Sequence, residues 1–277
     1  MCSRLFSQTK PTLFLLISSV LVVILLYLPL SSVAGLAEGT NFWLTFPNNS
    51  GDDIDLGASL ELRLLISSES SNVVTVSIPG ISFSVNESLV AGDVMIVDLP
   101  VNAELYTVET VEYKGIHVTA SNPVLVRAVS IAPSSSESFL ALPVEQLGSD
   151  YVVTTSYLGQ PGFSSEFAVI STNPGMNDVI LTLTTDSATI MAGVPTQVAL
   201  QQGDTFLVQS SNDLNGSIIQ SSQPVAVIAG SDLACVPSDV ILALPLIEWV
   251  DYRMRDERQR LIRPDFGYQE PLAGVRR

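Results

Sequence analysis

Residues Ser121 to Ser130 read SNPVLVRAVS, and about a hundred residues later Ser222 to Ser231 read SQPVAVIAGS. The polar pair, the Pro-Val step, the alternation and the closing serine all recur, and a chain that writes one pattern twice is constrained to fold it twice. Further matches stand in the same order around it. GTNFWLTF (Gly39 to Phe46) parallels GSDYVVTT (Gly148 to Thr155), and SNVVTVSI (Ser71 to Ile78) parallels NDVILTLT (Asn177 to Thr184). AGDVMIVDL (Ala91 to Leu99) matches QGDTFLVQS (Gln202 to Ser210), GIHVTA (Gly115 to Ala120) matches GSIIQS (Gly216 to Ser221), and FLALPVE (Phe139 to Glu145) is echoed by ILALPLIE (Ile241 to Glu248). The offset drifts between about 100 and 111 residues, as expected where loops change length and strands are kept.

Within one copy the short runs 42–46, 60–66, 73–78, 81–85, 94–99, 116–120 and 124–131 alternate in polarity and are separated by turn residues. The expected fold class is all-β: two tandem antiparallel β-sandwich-like repeats, at 39–147 and 148–250, with an N-terminal hydrophobic helix. Ser121-Asn122 and Ser222-Gln223 are read as tight connections between strands, each followed by a proline that opens the next strand. Val124, Val126 and Ala128, and likewise Val225, Val227 and Ala229, then share an inward face.

The two ends differ from this pattern. Arg4 and Lys10 precede an apolar run from about Leu13 to Leu30, and Ser32-Val33-Ala34 follow, which predicts a signal peptide over 1–34 cut after Ala34. An uncleaved signal anchor is the alternative, giving a membrane attachment with the remainder outside. Residues 251–277 form a basic, arginine-rich tail without strand alternation, expected to be poorly ordered; a truncated further copy is the other reading.

Between Gly35 and Val250 there are 23 acidic residues against Arg63, Lys114 and Arg127. So acidic a surface repels phosphate backbones, and nucleic-acid partners are excluded for the folded part. Behind a secretory signal the Asn-x-Ser triplets at Asn48, Asn86 and Asn215 are usable glycosylation acceptors. Cys235 would be the one cysteine left after signal removal, read as a buried apolar residue or as a bond to another chain.

GTNFWLTFPNN, YKGIHVTASNPVLVRAVS, SESFLALPVEQLGSDYVV, SEFAVIST and SSQPVAVIAGS with CVPSD together resemble the N-terminal domain of the IgGFc-binding protein family, over roughly Gly39 to Leu246. The resemblance implies an extracellular module of mucus or matrix type. The family pattern has a second cysteine shortly after the one matching Cys235, and SDVILALPLIEW lacks it.

Catalytic chemistry finds little support in the residues. His117 is the sole histidine, so any Ser-His or Cys-His arrangement would have to include it. It lies on the opposite strand face from Ile116 and Val118, and a surface or groove position suits it better. Cys235 has no neighbouring base to make it a nucleophile. No phosphate-binding glycine loop is present, and no cofactor or resident metal is expected. In NNSGDDIDLG, Asp52, Asp53 and Asp55 crowd a glycine-flanked loop; no bidentate acid follows at the spacing of a calcium loop, so a solvated turn is the reading, with calcium as the alternative. The serine-rich APSSSESF (Ala132 to Phe139) and SDLACVPSDV (Ser231 to Val240) are read as corresponding loops. The expected function is non-enzymatic binding of an extracellular protein or glycan partner through loops. A structural part in matrix or mucus, and a carboxylate-based extracellular glycan hydrolase, are the alternatives.

Overall fold

A computed structural model describes residues 37–50, 60–132, 135–155, 163–233 and the backbone of 246–249. The expected N-terminal hydrophobic helix, the signal peptide or anchor over 1–34, and the tail over 251–277 lie outside these residues. Among the described residues no helix is long and apolar enough to cross a membrane. All regular structure there is extended, apart from single 3-10 turns at Pro79–Ile81, Val101–Ala103 and Val144–Gln146.

The first sheet is built from β1 (Gly39–Leu44), β2 (Glu61–Ser67), β3 (Asn72–Ile78), β4 (Phe83–Leu89), β5 (Val94–Leu99), β7 (Ile116–Ala132) and β8 (Ser135–Leu140). The second holds β6 (Val111–Glu112), β9 (Gly148–Val152), β10 (Ser165–Ser171), β11 (Asn177–Thr182), β12 (Thr196–Leu200), β13 (Thr205–Ser210), β14 (Ile218–Ser231) and β15 (Leu246–Trp249). Every strand pairing is antiparallel.

Each sheet is organised around its longest strand. The first part of β7 pairs with β1 and β3, and the second part pairs with β2 and β8. Likewise β14 pairs first with β9 and β11, then with β10 and β15. Because the strand changes partners midway, its sheet folds back over one set of inward residues. In the first sheet these include Phe42, Leu64, Val76, Val97, Val118, Val126 and Phe139; in the second, Phe167, Val179, Leu181, Val208, Ile219, Val225 and Val227. The inward stripes of Val124, Val126 and Ala128 and of Val225, Val227 and Ala229 are buried as read from the alternation.

The Ser-Asn-Pro and Ser-Gln-Pro steps are not connections between two strands. Both lie inside continuous strands, at the corner where partners change, and the register slips there, between Gly39 and Asn41 opposite β7 and between Gln220 and Val225 within β14. Proline fits there because a corner leaves its missing N–H without a ladder partner to disappoint. A buried asparagine from the neighbouring strand fastens each corner. Asn72 Oδ1 accepts from Ser121 Oγ (3.1 Å) and from the Asn122 N–H (2.6 Å). Asn177 Oδ1 accepts from Ser222 Oγ (2.9 Å) and from the Gln223 N–H (3.1 Å). The serine hydroxyls in turn accept from the N–H groups of Val73 and Asp178, each at 3.0 Å. The Asn122 and Gln223 amides donate to the carbonyls of Ser71 and Met176.

Two further readings change. The serine-rich segment taken as a flexible loop contains strand β8, because Ser135, Glu137 and Phe139 alternate inward beside β7. Asn72 and Asn177 perform the same role, which sets β3 against β11 one residue away from the match made by sequence similarity alone.

The two sheets also share structure. The offset between matched strands falls from 111 at Val97 and Val208 to 101 at Val118 and Ile219, since the first half carries an insertion between β5 and β7. That segment reaches the second sheet. Leu105 packs with Ala168 and Leu207, the Glu109 N–H donates to the Leu207 carbonyl (2.7 Å), and β6 pairs Val111 with Phe206 and Glu112 with Thr205. Ile170, Ala226 and Ile228 of the second sheet meanwhile pack into the first core.

Candidate functional site

Described residues that flank the segments singled out from the sequence are hydrogen-bonded to one another. Ser50, the last described residue before Asp52, Asp53 and Asp55, donates its N–H to the Asp232 carbonyl (3.1 Å) and its hydroxyl to Asp232 Oδ2 (3.2 Å). Asp232 Oδ1 accepts from the Ser164 N–H at 2.7 Å. Asn49 joins the same place: it donates to Ser130 Oγ (3.0 Å) and accepts from Ser135 Oγ (2.6 Å), while its N–H donates to Glu104 Oε1 (2.7 Å).

Four carboxyl groups therefore gather here from distant parts of the chain. Glu104 stands at the start of the inserted segment, Glu137 on β8, Glu166 on β10 and Asp232 after β14, all of them buried. Glu166 Oε2 accepts from Gln209 Nε2 at 2.8 Å across β10 and β13. Burial, reinforced by the Glu104 charge, holds the Glu137 carboxyl well above the usual carboxylate range. Burial does the same to Glu166 despite the Gln209 hydrogen bond, with Asp232, Glu137 and Glu104 adding to the effect.

The sequence reading named none of these four. Glu137 was placed in a loop, where an acid is unremarkable. Glu166 lies in SEFAVIS, every residue of which is buried, and an acid within a run enclosed on both faces was the available signal.

The residues that were named are scattered. His117 is half-buried, stacked on Trp43 with ring centroids 4.2 Å apart and 6° between planes, and its Nε2 donates to Asn41 Oδ1 at 2.8 Å. Burial lowers its pKa. Asn86 and Asn215 are exposed; Asn48 is half-buried, with its amide donating to Ser50 Oγ at 3.2 Å. Cys235 and the three aspartates of the candidate calcium loop lie outside the described residues. Among the described residues no three Asp, Glu, His or Cys groups could hold a metal ion together. The gathered carboxyls are enclosed rather than set across an open cleft.

The class defined by the described residues is an all-β module of two antiparallel sheets. Residues 137–244 match the family described as IgGFc binding protein. A human protein described as IgGFc-binding protein is 31% identical over 182 residues, which is 62% of this chain and 3% of that relative. The chain thus resembles a binding-type module while spanning a small fraction of the relative's length. No solved structure matches it.

Proposed function

We propose that the chain is a non-enzymatic, extracellular binding module that recognises a protein partner through the segments 132–139 and 231–240. The similarity over 137–244 carries this reading, since it takes in β8 and the sequence through β14. The relative's name states that it binds the Fc part of IgG, which makes Fc the first partner to test. In this reading 39–147 and 148–250 are two copies of one β-sandwich domain, supported by the matching strand order and corner asparagines. A rigid doubled scaffold suits binding because little ordering entropy is lost when the partner docks.

The reading includes export by the 1–34 segment, either cleaved or retained as an anchor, and glycosylation at Asn48, Asn86 and Asn215. The test is export of a C-terminally tagged chain from cultured animal cells, followed by surface binding measurements against purified IgG Fc and purified mucus glycoproteins. Saturable binding to either supports a binding module, and Fc retention narrows the partner. A chain retained in the cytosol, or an exported chain that binds neither, overturns the proposal.

A further inference from the structure

The carboxyl groups of Glu137 and Glu166 sit where the two sheets meet, and their environment does not suit a charge. Among the described residues, both oxygens of Glu137 and Oε1 of Glu166 are buried without a hydrogen-bond partner. An ionised carboxylate so placed loses its hydration with nothing to replace it, so it must acquire a cation or a proton. The cations of the described residues are engaged with other groups. Arg63 pairs with Glu61 and Asp98, Arg127 donates to Ser138 Oγ, and Lys114, which comes nearest the cluster, pairs with Glu112 and donates to the Glu104 backbone carbonyl at 2.9 Å, not to a carboxyl group of Glu137 or Glu166. None of them is among the groups felt by either buried acid.

Matched strand positions sharpen the contrast. Arg63 pairs across from Asp98 in the first sheet, and Glu166 pairs across from Gln209 in the second. Where this position faces solvent, it carries a salt bridge; where it faces the junction, it carries an acid whose neighbour is a neutral amide.

We propose that the junction between the two sheets is proton-gated: Glu137 and Glu166 are neutral carboxylic acids when the sheets are closed on one another, and loss of those protons loosens the junction. Among the described residues, the charge that adds to the effect of burial on Glu137 is Glu104, and those that add to it on Glu166 are Asp232, Glu137 and Glu104, all acidic. Gln209 alone favours an ionised Glu166. Both folded-state pKa values are raised, so from the ordinary carboxylate range up to the raised values the closed form holds protons that the unfolded chain has released. Stability is greatest at acid pH and falls as pH rises through that window. Each such proton changes the opening equilibrium tenfold per pH unit, and two change it up to a hundredfold.

The exported full chain tests this by urea unfolding and amide hydrogen exchange from pH 4.5 to pH 8.5, on the wild type and on Glu137→Gln, Glu166→Gln and the double variant. Glutamine keeps the shape and cannot ionise. The expected result is a wild-type stability that declines with pH at up to a hundredfold per unit. Exchange in 104–112 should rise before exchange in β3 and β11, and the double variant should lose most of the slope. If the variants do not fold, infrared spectra of the wild type at neutral pH still decide the matter, because buried neutral carboxyls give a carbonyl band distinct from carboxylates. A flat profile in a folded wild type, or no such band at neutral pH, overturns the proposal. So does stabilisation by added calcium at neutral pH that Glu137→Gln abolishes, which would assign the acids to a cation.

Discussion

Asn72 and Asn177 occupy equivalent places in the two sheets, each buried beside a corner of the longest strand and each accepting from a serine hydroxyl and a backbone N–H on it. Without them the corner would leave polar groups enclosed and unsatisfied. Replacing Asn177 with Ala should cost about 2–4 kcal/mol, since two donors and the amide's own bond to the Gln223 carbonyl are lost together. Urea denaturation of the exported chain checks this, with Asn72→Ala predicted to act in the same direction.

Gly203 lies at φ 85°, and a Cβ there would stand 2.6 Å from Tyr113 Cε2 and about as close to the Trp43 ring as van der Waals contact forbids, at 3.1 Å. Gly203→Ala is expected to destabilise by about 2 kcal/mol or more, combining left-handed strain with overpacking. Gly92→Ala, at φ 82° with nothing within 4 Å, carries the strain alone and should cost about 1 kcal/mol. Thermal unfolding of the pair separates the two contributions.

His117 is a unique reporter, because the chain has no other histidine. Burial against Trp43 favours its neutral form, so its NMR titration midpoint should lie below the ordinary value of 6.5. The unfolded chain binds this proton first as pH falls. Stability from this group is therefore present above 6.5 and is lost as pH drops toward the lowered midpoint. Trp43→Leu should move the midpoint back toward 6.5.

Leu105 is fully buried against Ala168 and Leu207, although it belongs to the segment inserted in the first half. Leu105→Ala should cost about 2–4 kcal/mol and increase amide exchange in β6 and β13, which the insertion joins. An effect confined to the first sheet would contradict the coupling.

Peptide mapping of the exported protein after enzymatic deglycosylation should find Asn86 and Asn215 modified more completely than Asn48. Exposure decides the order, as Asn48 is half-buried with its acceptor nitrogen directed at Ser50.

The strand content and the inward stripes were legible from the sequence, because alternation of side chains across a strand is a local property of the backbone. Phe42, Val97, Tyr151 and Val208 all lie on strands and are buried. The recurrence of Ser-Asn-Pro and Ser-Gln-Pro was equally visible, yet its meaning was not. A polar-polar-proline step reads the same whether it turns the chain or bends one strand, and only the asparagine arriving from roughly fifty residues away distinguishes the two. The same holds for Glu104, Glu137, Glu166 and Asp232. Each is an ordinary acid in its own neighbourhood, and nothing local says that four of them will share a buried junction. Local patterning determined which residues form strands and which way they face. The three-dimensional packing of one sheet against the other decided which acids lose water, because burial and mutual charge depend on distances that sequence spacing does not encode.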